Sequence, residues 1–168
     1  MPRRVVSSTV ELPPFQALID AHGSDVQRFL VALVGPTAAD DCFQETWISA
    51  LRAYPRLRNH DNLRGWLLTI AHRKAIDQVR ATRRQPVPVP DVPEPSTGTL
   101  DPPVSADGQD ELWKLVRELP SKQRTAVALR YVLDAPHADI ASVMGTSEEA
   151  ARRNVHEGLK RLRTEYKR

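Results

Sequence analysis

HADIASVMGTSEEAARRNVHEGLKRLR, residues 137–163, reads as two helices meeting at a corner. His137 to Met144 is a short helix and Gly145 a turn. Thr146-Ser-Glu-Glu149 then has the spacing of a capping box. From there Ala151, Val155, Leu159 and Leu162 recur on one face of a long helix. A helix, a glycine-bearing turn and a basic second helix make a helix-turn-helix pattern. Between Ser147 and Arg168 seven basic side chains stand against four acidic ones, which strengthens the pattern as a nucleic-acid footprint. Gly158, inside the long helix, costs about 1 kcal/mol against alanine and suits a close approach to a neighbouring element.

The helical period continues on both sides. Upstream, Leu112, Leu115, Val116 and Leu119 mark a helix that stops before Pro120, and Ser121 is placed to cap another that runs to Tyr131. Near the start, Phe15, Leu18, Ile19, His22, Val26, Phe29, Leu30, Leu33 and Val34 predict a first helix ending at Gly35-Pro36. Thr37-Ala-Ala-Asp40 reads as a capping box for a second, whose stripe of Phe43, Trp47, Leu51 and Tyr54 faces inward until Pro55. A polar loop, Arg56 to Gly65, precedes a third helix from Trp66 to about Arg83, with Leu67, Ile70, Ala71, Ala75 and Val79 inside. No strand period competes, so the expected class is all-α.

Composition divides this all-helical chain in two. Seven of the 14 prolines lie between Pro86 and Pro103. Residues 85–109 hold four acidic and no basic side chains, whereas residues 1–84 and 110–168 each carry 12 basic ones. The expectation is a disordered tail (1–12), a first helical domain (13–84), a flexible linker (85–109) and a second helical domain (110–168). Lone Cys42 excludes a disulfide framework and a multi-cysteine zinc site. No apolar run reaches the roughly 18 residues of a membrane helix, and the N-terminus lacks the pattern of a secretory signal. A cytoplasmic protein with no membrane partner is expected.

With these residues in order, the chain resembles the extracytoplasmic-function (ECF) sigma factors of bacterial RNA polymerase. AADDCFQETWISALRAY (38–54) is similar to that family's region 2.2, and LRGWLLTIAHRKAIDQVRA (63–81) to its regions 2.3 to 2.4. LPSKQRTAVALRYV, together with DIASVMGTSEEAARRNVHEGLKRLR, is similar to region 4. The resemblance implies a region 2-like domain for core polymerase and the minus-10 element, and a region 4-like domain for the minus-35 element. It implies as partners the beta-prime clamp and beta flap of core polymerase, promoter DNA and an anti-sigma factor.

Each candidate patch has its own physical basis. Asp41, Gln44, Glu45, Ile48 and Arg52 fall on one face of the second helix, a polar rim around an apolar anchor that suits a helix-on-helix interface. The family's matching face holds the beta-prime clamp. In the loop, Arg58, Asn59, His60 and Asn62 offer groups that read Watson-Crick edges, and Trp66 offers a stacking surface. A plain turn with an Asn-type cap is the bland alternative. Arg73, Lys74 and Arg80 suit phosphate contacts, each adding about 0.9 to the log-log salt slope. On the last helix Arg152, Arg153, His156 and Lys160 match the family's minus-35 reading positions, where arginine pairs bidentately with guanine.

Glu149, Glu157 and Leu159 depart from the glycine and basic residues common in the family, which implies either weak minus-35 recognition or recognition that leans on Arg152 and Arg153. Extended at about 3.1 Å per residue, the linker reaches roughly 75 Å. Promoter elements two helical turns apart lie near 70 Å from each other. A stand-alone helix-turn-helix regulator would explain the last helix but not the Asp41, Gln44 and Glu45 face. An enzyme is disfavoured. His22, His60, His72, His137, His156 and Cys42 form no ligand or nucleophile motif, no glycine-rich phosphate loop is present, and no metal or cofactor is expected.

Overall fold

A computed structural model of the chain describes residues 11–84 and 107–167. Most of the expected linker and the first ten residues lie outside the described residues. Seven α-helices account for the fold: α1 (Phe15–Val34), α2 (Pro36–Ala53), α3 (Leu63–Arg84), α4 (Asp107–Glu118), α5 (Ser121–Tyr131), α6 (His137–Met144) and α7 (Glu148–Tyr166). A single 3-10 turn, Tyr54–Arg56, extends α2, and the described residues contain no strand.

In the first domain, α1, α2 and α3 close around Val26, Phe29, Leu30 and Leu67, all fully buried. The corner between α1 and α2 is Gly35, whose φ of 84° places it in the left-handed region that favours glycine. Pro36 follows as the first residue of α2, where its missing N–H is one the helix would leave unpaired anyway. The capping box expected at Thr37 is therefore absent, and no side chain caps α2. Leu12 packs against this core, one residue inside the expected tail, and the Tyr54 hydroxyl donates to the Pro13 carbonyl. Leu51, expected on the inner stripe, is 54% exposed. Each step of four residues overshoots a full helical turn by about 40°, so the stripe that begins at Phe43 has rotated outward by Leu51.

In the second domain, α5 is buried along most of its length, from Arg124 to Leu129. α7 crosses it at Gly158, where a Cβ would lie 2.6 Å from Val127 Cγ2. The glycine permits the close approach its sequence position suggested. α6 ends at Gly145 (φ 64°), and the Thr146 N–H reaches back to the Ala141 carbonyl. α7 is capped by Ser147, whose hydroxyl accepts from the Ala150 N–H, one residue later than the box expected at Thr146. Helix α5 is preceded by Pro120 with no side-chain cap, so Ser121 does not serve as expected. α4 begins at Asp107, three residues before the expected boundary. Leu112 on it is 36% exposed, while Trp113 packs inward instead.

The two domains share one continuous core, because α3 packs on α6 while α1 packs on α4 and α5. Guanidinium groups of each domain cap backbone carbonyls of the other. Arg28 donates to Val132 O (2.7 Å) and Arg64 to Leu133 O (3.0 Å), with Asp25 holding Arg64 at 2.9 Å. In return Arg124 donates to Leu33 O at the end of α1 (3.1 Å). Arg124 thereby satisfies a last-turn carbonyl of α1, and Arg28 and Arg64 satisfy carbonyls at and just beyond the C-terminal end of α5.

Candidate functional site

The outer face of α2 presents Asp41, Gln44, Glu45 and Arg52 to solvent, and Ile48 is 44% exposed among them. Leu51, three residues beyond Ile48, lies on the same face. Sequence reasoning assigned Leu51 to the core and so missed it as a second apolar anchor. Its seven-residue spacing from Gln44 was the signal available. Beneath this face the helix is held by Trp47, Cys42 and Ala50, and Trp47 packs edge-on against Phe15 and Phe43. Burial pushes the Cys42 thiol up from its ordinary value, with Asp41 and Glu45 acting in the same direction. Its Sγ lies 3.9 Å from the Lys74 carbonyl, the environment of a structural thiol.

The loop between the 3-10 turn and α3 is more strongly bonded to itself than its composition suggests. Asn59 Oδ1 accepts from the Asp61 N–H (2.9 Å), an Asx turn. Asn62 Oδ1 accepts from the Gly65 N–H (2.9 Å), so Asn62 caps α3 and the helix starts at Leu63 rather than Trp66. His60 Nε2 donates to the Leu57 carbonyl (2.9 Å). These bonds fix the loop's shape and leave Arg58 exposed beside a cleft of about 650 Å³ lined by Ser49, Arg52, Arg56, Leu57, Arg58 and Trp66. Arg52, expected to serve the α2 face, thus stands at this cleft with Trp66. Arg56 joins it from a position sequence reasoning left as plain loop. Trp66 is half-buried, its ring tilted against Tyr54 at 6.2 Å, and so acts in both packing and cleft.

Along α3, Arg73 and Arg80 are exposed, whereas half-buried Lys74 lies 3.9 Å from Glu45 and ties α3 to α2. Arg64 and His72 face the second domain. Burial holds the His72 imidazole below its ordinary pKa, Arg73 adds to the effect, and a hydrogen bond to the Val143 backbone opposes it.

On α7, Arg152, Arg153, His156 and Lys160 are all exposed, opposite the buried row of Ala151, Val155, Gly158 and Leu162. Arg152 is engaged by Glu148 at 2.7 Å, one turn back. Among the described residues, no cluster of three or more His, Cys, Asp or Glu side chains is arranged to hold a metal ion, and no helix is long and apolar enough to cross a membrane.

The described domains coincide with two known sequence families: residues 18–85 match sigma-70 region 2, and residues 109–162 match sigma-70 region 4. The chain is 34% identical over 134 residues to the ECF RNA polymerase sigma factor SigC of Mycobacterium tuberculosis, covering 77% of this chain and 71% of that protein. It is 31% identical over 159 residues to the RNA polymerase sigma factor CarQ of Myxococcus xanthus, covering 89% and 87%. Its fold is similar to that of the sigma factor RpoE in complex with the anti-sigma factor NepR from Bartonella quintana. The TM-score is 0.72 at 22% identity, over 91% of this chain and 96% of that one. Two region matches in family order, joined to full-domain relatives, lead to one conclusion: the chain belongs to the ECF sigma factors, which bind RNA polymerase and direct transcription initiation.

Proposed function

We propose that the work of this sigma factor is divided among three surfaces. The α2 face, with Asp41, Gln44, Glu45 and Ile48, holds the beta-prime clamp of core polymerase, and Leu51 widens its apolar centre. The cleft at Trp66 captures a non-template base of the minus-10 element, with Arg52, Arg56 and Arg58 neutralising the adjoining phosphates. Asn59, His60 and Asn62 shape that cleft, so their part in melting is to position the loop. Arg73, Lys74 and Arg80 carry phosphate contacts along α3. On α7, Arg152, Arg153, His156 and Lys160 read the minus-35 major groove. The observation that carries this reading is the outer face of α2, where Asp41, Gln44, Glu45 and Arg52 stand exposed around Ile48 and Leu51 on a helix seated from beneath by Trp47, Cys42 and Ala50.

The promoter elements lie roughly 70 Å apart, whereas the two domains here share a core. Separation of α6 from α3 therefore accompanies promoter engagement. The reading also includes a cytoplasmic location, contact with the beta flap through the second domain, no chemistry of the protein's own, and an anti-sigma factor as regulator. The last follows the RpoE–NepR pairing of a protein of similar fold.

The test is reconstituted initiation. Purified chain plus bacterial core polymerase should yield open complexes at a subset of promoters, and each component alone should yield none. Specific DNA binding by the chain alone, with no core-dependent start, would instead identify a stand-alone regulator. A Trp66→Ala variant that still binds core should form open complexes at least tenfold less often, and unchanged opening would remove Trp66 from base capture.

A further inference from the structure

A second cleft, of about 310 Å³, lies where the two domains meet, and Leu33, Val79, Thr82, Arg83, Arg117 and Arg124 are among its lining residues. Three guanidinium groups from α3, α4 and α5 converge there, and among the described residues no carboxylate side chain lines it. Arg124 is only 9% exposed. Its two terminal nitrogens donate to Leu33 O and Leu119 O (3.1 Å each), and its buried Nε has no acceptor among the described residues. Arg117 sits over the Gly35 corner, 3.7 Å from where a Cβ would stand. Burial disfavours the charge on Arg124, and Arg83 and Arg117 both add to that effect, as facing like charges must.

An assembly of this kind is incomplete without an anion. Arginine forks match oxyanions, and phosphate offers more acceptor oxygens and more charge than a carboxylate. Ala38, in the first turn of α2, also borders the cleft and brings the positive end of that helix to it. The volume suits a small ligand and excludes a folded macromolecule. We propose that the interdomain cleft is a phosphate-binding site, taking free phosphate groups or those of a nucleotide on Arg83, Arg117 and Arg124. Because the guanidiniums come from both domains, the ligand braces the packed arrangement. Bound phosphate therefore opposes the separation that promoter engagement requires.

The test is thermal unfolding of the full chain with pyrophosphate, against sodium chloride of matched ionic strength. The expected result is a rise in Tm of about 5 °C or more when pyrophosphate exceeds its Kd a hundredfold. The rise should be lost in Arg83→Gln/Arg117→Gln, a variant that leaves the α2 and α7 faces intact. Arg83→Gln alone, at an exposed position that folding does not depend on, should weaken pyrophosphate binding at least threefold. Equal affinity for ADP and pyrophosphate would identify the phosphate group as the whole ligand, and tighter ADP binding would identify a nucleotide; both support the site. No rise beyond the salt control would overturn the proposal, as would an undiminished rise in either variant. A response that emerges only in Asp91→Asn/Glu94→Gln/Asp101→Asn would also overturn it, since the chain's own carboxylates would then occupy the cleft.

Discussion

Helix α7 and the loop before α3 both carry side chains suited to nucleic acid, and they are built in opposite ways. On α7 one face packs and the other is left to solvent, so Arg153, His156 and Lys160 are presented by a scaffold that does not use them. In the loop, Asn59 and His60 each spend a polar group on the loop's own backbone, and Asn62 spends one on the first turn of α3. Substitutions on the exposed face of α7 should therefore change recognition without changing stability, whereas substitutions in the loop change both.

The largest effect is expected where α7 is seated. Gly158→Ala places a methyl group 2.6 Å from Val127 Cγ2, and overpacking of this kind costs about 1–3 kcal/mol despite alanine's better helix propensity. Urea unfolding should show that loss, and adding Val127→Ala should recover part of it. A neutral Gly158→Ala would mean that α7 is not held as closely as described.

Arg153→Ala comes next. It should relax sequence discrimination at one minus-35 base pair by about 1–3 kcal/mol while leaving the unfolding midpoint unchanged, as measured by competition binding of the holoenzyme and by urea titration. A matching loss of stability would break the contrast with the loop. Asn62→Ala should do the reverse, lowering stability by about 1 kcal/mol in the absence of any DNA because α3 loses its cap. Asn62→Asp, which keeps the acceptor, should retain most of it.

This difference also explains what the sequence made legible. Helical faces follow from a 3.6-residue period, so the seven helices could be read from spacing, while the two-domain division and the basic character of α7 came from proline and charge composition. Leu51 escaped because a four-residue stripe drifts around its helix. The loop escaped because an amide that caps a helix and one that reads a base are the same residue type. Ser147 rather than Thr146 caps α7, since both hydroxyls fit the motif and only the backbone decides. The packing of one domain on the other left no local signal at all. It joins apolar residues of both domains in one core and adds bonds from Arg28, Arg64 and Arg124, which composition counts simply as positive charge.

That packing predicts a smaller, pH-dependent effect. Burial between α3 and α6 holds the folded-state pKa of His72 down, so the unfolded chain takes up the proton first as pH falls. The contribution is neutral above the ordinary histidine range and destabilising below about pH 6.5. Melting at pH 7.5 and 5.5 should show a drop for the native chain, and His72→Gln should reduce that drop. An identical drop in the variant would place the acid sensitivity elsewhere.

Whether the α2 face holds core polymerase is decided by binding of the chain to purified core at fixed salt. Native chain should bind tightly, and Gln44→Ala/Glu45→Ala should bind at least tenfold more weakly while its stability falls by no more than the ~0–1 kcal/mol of the one exposed ion pair it loses, Glu45 to Lys74. Undiminished binding by the double variant would contradict the assignment of this face, and failure of the native chain to bind a competent core would contradict the account as a whole.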